Sequence, residues 1–472
     1  MPRGTPAVEK RRAELLTRFT AETPSVEERI AQGKALRAKV PHERQGEYVP
    51  ASGRKDPVAI LEAQGKTRLP DLVPVRYARM LASPFAFLRG SAAVMVADLA
   101  RTPVTGLTVQ ACGDMHVANF GVFASAERNL VFGINDFDET LPGPWEWDLK
   151  RLATSIIVAG RFLGAGRTLR EEAVREAVRI YRKRMFRYAG MRYLDVWYTR
   201  IDEQDILGAL SPNARAGAEQ IIAKARQRGH VQVLAKMADL VDNRHHIVEQ
   251  KPLIVRQTRA ADGRPIMEAM AEILDLYLAS LPEDRRALLG RYRLVDVARK
   301  VVGVGSVGTR CWVALLMGNG TEDPLFLQFK EAQRSVLAPY AKGRRWDCEG
   351  ERVVVGQRII QGAPDIFLGW GKFSTGVDFY MRQLRDMKGG VDFETARPKN
   401  LPDYSRLCAW ALALAHAKSG DAATIAGYCG KSDALDEAIT RFATAYATQT
   451  EHDYDALVQA AKAKRIQVAK AA

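Results

Sequence analysis

The chain contains no uninterrupted apolar run approaching the ~18 residues that a membrane-crossing helix needs. Its first residues, Met1 to Lys10, lack the apolar stretch of a secretory signal, so a cytoplasmic protein is expected. Cysteine is scarce. The five present, Cys112, Cys311, Cys348, Cys408 and Cys429, are odd in number and form no C-x-x-C pair, which argues against a disulfide framework and against a zinc site. Cys112 reads most simply as a small buried residue. Internal repeats and low-complexity segments are also missing, and none of the seven histidines stands in a Gly-Asn-His run.

Acidic residues are outnumbered, 55 Asp and Glu against 70 Lys and Arg, for a net charge of +15. The basic residues are spread along the chain, as in Lys10-Arg11-Arg12, Arg182-Lys183-Arg184 and the tail with Lys462, Lys464 and Arg465, rather than gathered beside stacked aromatics. That distribution predicts a solvated basic surface, not a specific nucleic-acid interface. The same field would attract an anionic substrate. At 47% hydrophobic and 26% charged residues the chain is globular, and 472 residues exceed what one core usually supports.

The most informative stretch is Gly113-Asp114-Met115-His116-Val117-Ala118-Asn119-Phe120, followed by Ile134-Asn135-Asp136-Phe137-Asp138. Phe120 to Ala124 and Leu130 to Ile134 are apolar and β-prone around a polar turn at Ser125 to Asn129, which predicts a hairpin. Residues opposite one another in an antiparallel pair lie ~4.5–5.5 Å apart, so Asn119 and Asp136 can share one divalent cation. Asp114 can face the same spot and accept a hydroxyl proton. An Asp, an Asn five residues on and a second Asp beyond a hairpin form the layout of a phosphotransfer centre with bound magnesium, with Asp138 available to a second ion.

These residues carry a resemblance. GDMHVANF resembles the catalytic loop of aminoglycoside phosphotransferases and related small-molecule kinases, and INDFD resembles the metal-binding segment of that superfamily. Trp145-Glu146-Trp147-Asp148-Leu149-Lys150-Arg151-Leu152-Ala153 resembles the helix start whose Asp braces the catalytic loop, which implies that role for Asp148. With Ser83-Pro84-Phe85-Ala86-Phe87-Leu88-Arg89-Gly90, the same motifs also resemble a bacterial family known only as a domain of unknown function, across most of the chain. In the kinase reading His116 supports the catalytic loop by hydrogen bonding. A metallophosphatase also uses a Gly-Asp-x-His element but needs further histidine ligands.

No glycine loop and lysine precede Asp114, where a kinase would carry them. Instead Val297 to Val302 reads as a strand entering Gly303-Val304-Gly305-Ser306-Val307-Gly308. Cys311 to Met317 returns, Gly318 to Asp323 turns, and Leu325 to Phe329 delivers Lys330. Strand, glycine loop, strand, turn, strand, lysine is the layout of a kinase small lobe, with Gly303, Gly305, Ser306, Gly308 and Lys330 on the ATP phosphates. A Rossmann fingerprint would require a helix directly after the glycines. The expected fold is therefore α+β, a two-lobed protein-kinase-like fold, circularly permuted, with extra helices. Residues 1–73 would form a helical extension, 74–285 a helical large lobe, 286–372 a β-rich nucleotide lobe and 373–472 helices completing the large lobe. Permutation is tolerated where termini lie together at the surface. A bound triphosphate would have to touch both the glycine loop and Asp136, which requires them within ~15 Å.

Further expectations follow along the chain. Arg352 to Ile360 reads as the strand running into the hinge, and Glu331 or Glu351 as the partner of Lys330. Arg170 to Arg187 and Tyr404 to Lys418 read as helices, the second buried. In the apolar stretch Pro74 to Ala100, Arg89 either contacts phosphate or pairs with an acid such as Asp98. Met1 to Lys66, charged and broken by prolines, reads as exposed helices wrapping the body. The acceptor could be a sugar, an aminoglycoside-like amine, a lipid headgroup or a protein. Transfer of AMP in place of phosphate, or nucleotide binding without catalysis, uses the same residues.

Overall fold

The computed structural model describes residues 6–469 apart from 242, 243, 261, 262, 302, 374, 385 and 386, and has a mixed α+β architecture. The largest core is helical. The helix Trp145–Phe162 lies at its centre with almost every side chain buried, packed by Arg167–Ala189, Leu401–Ser419 and Ala434–Lys462. Arg167–Ala189 and Leu401–Ser419 contain the two helices expected from their periodicity. Of the N-terminal helices, Pro6–Thr20 is exposed, whereas Val26–Ala35 packs on Ala422–Cys429. Gly33 and Gly427 permit that approach, because a Cβ at Gly33 would stand 2.0 Å from the Thr424 carbonyl oxygen.

The second core is built on a six-stranded antiparallel sheet. Its strands lie in the order Gly369–Lys372, Asp378–Gln383, Pro324–Glu331, Cys311–Met317, Arg293–Lys300, Ile254–Arg256. The period-2 alternation of a strand separates its two faces. Leu325, Leu327 and Phe329 pack beneath the helix Ile266–Ser280 through Ile273 and Tyr277. Phe326 faces the opposite side with Val313 and Leu315, under the helix His230–Met237. Gln328 and Lys330 follow Phe326 on that side. Residues Arg293–Lys300, Cys311–Met317 and Pro324–Glu331 are the three strands expected around the glycine loop; Val302 lies outside the described residues.

Residues 352–360 are not a strand. They belong to the helix Glu349–Ile360, and the strand that pairs with Pro324–Glu331 is Asp378–Gln383. The β-branched run Val353-Val354-Val355 has strand propensity, but propensity yields to packing. Here packing is set by two glycines. A Cβ at Gly350 would stand 2.0 Å from the Phe379 carbonyl oxygen, and one at Gly356 2.3 Å from Thr140. Only a glycine-faced helix fits so close to the sheet on one side and to the loop after Asp138 on the other.

The central helix also buries a charge. Lys150 is wholly enclosed, with its Nζ 4.7 Å from the Phe442 ring centre, and burial lowers its pKa to about 8 against the opposing pull of Glu146. Leu149, Leu152, Ile156 and Ile157 on the same helix are fully buried, each contributing about 1.5–3 kcal/mol, which outweighs the penalty at one lysine. Because the folded pKa lies below the unfolded one, the unfolded chain binds the extra proton between those values. Stability should therefore rise with pH in that window. Relative to Lys150→Met, the wild type is expected to gain roughly 1–3 kcal/mol between pH 8 and 10, measured by urea unfolding. Parallel pH profiles for the two proteins would refute a buried, titrating Lys150.

Candidate functional site

The segment 112–140 is tied off at its base by the antiparallel pair Thr108–Ala111 and Leu141–Pro144. Between them runs the hairpin Phe120–Ala124 with Leu130–Ile134, in register Phe120 to Ile134, and the Asn135 N–H continues the ladder to the Asn119 carbonyl at 2.8 Å. Asn119 is thereby set beside the chain that leads to Asp136. Gly113 adopts φ +81°, and a Cβ there would stand 2.7 Å from the Glu139 carbonyl oxygen, so only glycine allows the two arms to meet.

The central helix fixes the loop with two side chains one turn apart. Asp148 accepts the N–H groups of Cys112 at 2.6 Å and Gly113 at 2.9 Å, the bracing role implied by the resemblance. Arg151 then holds Asp114 by one carboxylate oxygen, its Nε at 2.8 Å, and donates to the Leu88 carbonyl at 2.9 Å. The other oxygen of Asp114 lies 3.8 Å from His116 Nε2. Burial raises the Asp114 carboxyl above its ordinary range despite the opposing Arg151 charge, and burial lowers the His116 imidazole well below its own, so His116 is neutral. Asn119 donates its side-chain N–H to the Asp114 carbonyl at 2.7 Å, which leaves its amide oxygen as the group it can offer a cation.

The sheet meets this segment at Asp138. Lys330, 2% exposed, places its ammonium on Asp138 and 3.8 Å from Asp136. Tyr380, the cross-strand neighbour of Lys330, donates its hydroxyl to Asp138 at 2.7 Å. Ser306, in the glycine loop, donates to Asp138 at 3.1 Å. Burial opposes ionisation of Asp138, but the Lys330 charge and the bonds from Lys330 and Tyr380 outweigh it and hold the carboxyl below the ordinary range. Burial and the Asp138 charge push Asp136 the other way, to a raised value. Lys330 itself is raised, since the two carboxylates outweigh its burial.

Asp114, His116, Asn119, Asp136, Asp138, Gly303, Gly305 and Ser306 therefore line one cavity of about 170 Å³, with Lys330 behind its acidic wall. The loop is within hydrogen-bond reach of the acidic pair, well inside the separation a triphosphate requires. Gly308 is not among the residues lining the cavity and is turned toward Arg68, with a Cβ there 3.0 Å from the Arg68 side chain. Neither glutamate expected to hold Lys330 does so. Glu331 accepts from the Arg310 N–H and guanidinium at 2.8 and 3.2 Å, and the ion pairs of Lys330 go to Asp136 and Asp138. Arg89 does not pair with Asp98 either; Asp98 is taken by Arg54 at 2.7 Å and by the Tyr446 hydroxyl at 2.7 Å, while Arg89 lines the cavity.

Among the described residues no group of three or more His, Cys, Asp and Glu side chains could hold a metal ion unaided. The oxygen donors lining the cavity include the carboxylates of Asp114, Asp136, Asp138, Glu139 and Glu331 and the amide oxygen of Asn119. That set suits magnesium, which takes one or two carboxylates and completes its octahedron with phosphate and water, and does not suit a histidine-rich two-metal centre.

A family profile described as "Uncharacterized protein conserved in bacteria (DUF2252)" matches residues 68–460. The chain belongs to this family. No curated protein and no solved structure matches. The family span begins at Arg68, on the strap outside the glycine loop, and contains every residue lining the cavity except Gln64.

Three participants were not legible in the sequence. Arg151 stands three residues after Asp148, a spacing that places both on one helix face and could have been read as a joint clamp. Arg352 donates to the carbonyls of Thr140 at 2.6 Å, Asp138 at 2.9 Å and Gln333 at 2.8 Å, but only once residues 349–360 form a helix. Tyr380 lies on the strand Asp378–Gln383 of the six-stranded sheet, within the span 373–472 expected to be helical. Asp148→Asn should cost about 1–3 kcal/mol in urea unfolding, because an amide has one acceptor for two buried N–H groups. Unchanged stability would show that Asp148 does not brace the loop.

Proposed function

We propose that the chain is a kinase-like phosphotransferase, dependent on ATP and Mg²⁺, whose elements follow a circularly permuted order. One observation carries the reading: Ser306 of the glycine loop and Lys330 of the third strand converge on Asp138, within a segment continuous with Asp114 and Asn119. The antiparallel order of glycine-loop strands, lysine strand and a following helix supports it, since protein kinases carry the lysine on the third strand and a helix beside it. In that reading the sheet and the helix Glu349–Ile360 form the small lobe, and the hairpin with the helical core forms the large one. Here the helix sends Arg352 to the Asp138 backbone, in place of a glutamate to the lysine. Free thiols and the absence, among the described residues, of a helix able to cross a membrane suit a cytoplasmic setting.

Asp136, Asp138 and the amide oxygen of Asn119 would hold the magnesium, and Lys330 with the glycine loop would hold the phosphates. The bound ion supplies neutralisation of the charge that develops on the transferring phosphoryl group. Asp114 orients the acceptor hydroxyl and takes its proton. Its raised pKa suits a base, and Arg151 fixes which oxygen faces the cavity. His116, neutral and buried, supports that geometry. Since Lys330 is bound to both acids, it neutralises them before a cation arrives and exchanges one charge for another when it does.

Calorimetric titration with ATP, with and without Mg²⁺, tests the reading. Wild type is expected to bind ATP only with the ion, and Asp136→Asn is expected to lose that binding with circular dichroism unchanged. Metal-dependent binding retained in Asp136→Asn would remove Asp136 from the site. No binding by the folded wild type would refute the kinase-like function.

A further inference from the structure

Three arginines, Arg68, Arg76 and Arg89, share the cavity with its carboxylates without being bonded to them. Arg76 is 1% exposed and lies in the helix Val73–Met80. Its Nη2 donates to Gln64 at 3.0 Å and to the Gly90 carbonyl at 2.9 Å, while its Nε and Nη1 are buried without a partner. Arg68 spends one nitrogen on the Val307 carbonyl, and its buried Nε has no partner. Arg89, in the helix Pro84–Gly90, likewise has a buried, unpartnered Nε and lies with its guanidinium 5.9 Å from the Phe85 ring centre. Among the described residues none of the three makes an ion pair, although every one lines the cavity that also contains Asp114, Asp136, Asp138, Glu139 and Glu331.

Such an arrangement is unfavourable in the free protein. A guanidinium stays charged, each unmet buried N–H costs about 1–3 kcal/mol, and like charges add repulsion. Burial depresses the pKa of all three and outweighs the opposing pull of Glu139 on Arg68 and Arg76 and of Asp114 on Arg89, and Arg68 depresses Arg76 further. Other arginines set deep in the chain meet carboxylates directly: Arg54 with Asp98 and Asp453, Arg182 with Asp436, Arg151 with Asp114. Planar donor forks of this kind are what phosphate oxygens require.

We propose that Arg68, Arg76 and Arg89 form a metal-independent oxyanion site that binds a phosphate group inside the catalytic cavity. The group comes either from the terminal phosphate of the nucleotide or from an anionic acceptor. In the second case, which rests on the phosphotransferase reading, the acceptor is a phosphorylated metabolite.

The test is calorimetric titration of the full chain with inorganic phosphate in EDTA, and separately with ATP and Mg²⁺, for wild type, Arg89→Gln, Arg76→Lys and Asp136→Asn. Wild type and Asp136→Asn are expected to bind phosphate, with affinity at least tenfold weaker in Arg89→Gln and in Arg76→Lys. If Arg76→Lys fails to fold by circular dichroism, Arg89→Gln decides. A parallel loss of ATP affinity in the arginine variants assigns the site to the nucleotide; retained ATP affinity assigns it to the acceptor. Phosphate binding without any Mg²⁺-dependent ATP binding would support the oxyanion site while the phosphotransferase reading fails. No phosphate binding by folded wild type, or binding undiminished in the folded arginine variants, overturns the proposal.

Discussion

The carboxylate of Asp148 is the constraint from which the site is built. It is buried and accepts two consecutive backbone N–H groups, and His416 Nε2 lies 3.4 Å away, itself bonded to Tyr181 at 2.8 Å. Those backbone donors belong to residues just before Asp114, so the position of the proposed base follows from the position of a helix. The helix in turn is fixed by the apolar contacts that bury it on all sides. A weaker anchor would leave Asp114 on a free loop; this one places it to within a hydrogen-bond length.

A second chain of constraint comes through Arg352. Its guanidinium bonds three carbonyls, two of them in the segment 138–140, and so locks the acidic segment to the helix Glu349–Ile360. Gly350 and Gly356 are the reason the helix can come close enough. The acidic pair is therefore held by the hairpin through Asn119 and Asn135, by the sheet through Lys330 and Tyr380, and by the helix Glu349–Ile360 through Arg352. Holding two carboxylates from separate elements makes their geometry depend on how those elements meet.

Local rules carried the sequence reading where contacts are local. The hairpin 120–134 has its turn residues and its alternating apolar arms in one short stretch, and its strands fall where the pattern predicts. The same is true of the strands around the glycine loop and of the helices 167–189 and 401–419. The reading failed where long-range packing decides. Three consecutive valines read as a strand, yet two glycines that mean little in sequence select a helix. The partner of Lys330 was sought among glutamates adjacent in sequence, whereas its partners lie almost two hundred residues earlier in the chain. Arg68 and Arg76 could not be placed beside Asp114 at all, because nothing in their own neighbourhood announces what they face.

The glycine loop is held from outside by its own carbonyl oxygens. Gly303 is bound by Arg79, Val307 by Arg68, and Gly308 by the Leu69 N–H at 2.8 Å, all from the strap that runs from residue 68 to residue 79. A flap tethered at three points cannot swing open alone. Any displacement of the loop is then collective, because it must carry with it the strap whose Arg68 and Arg76 line the same cavity.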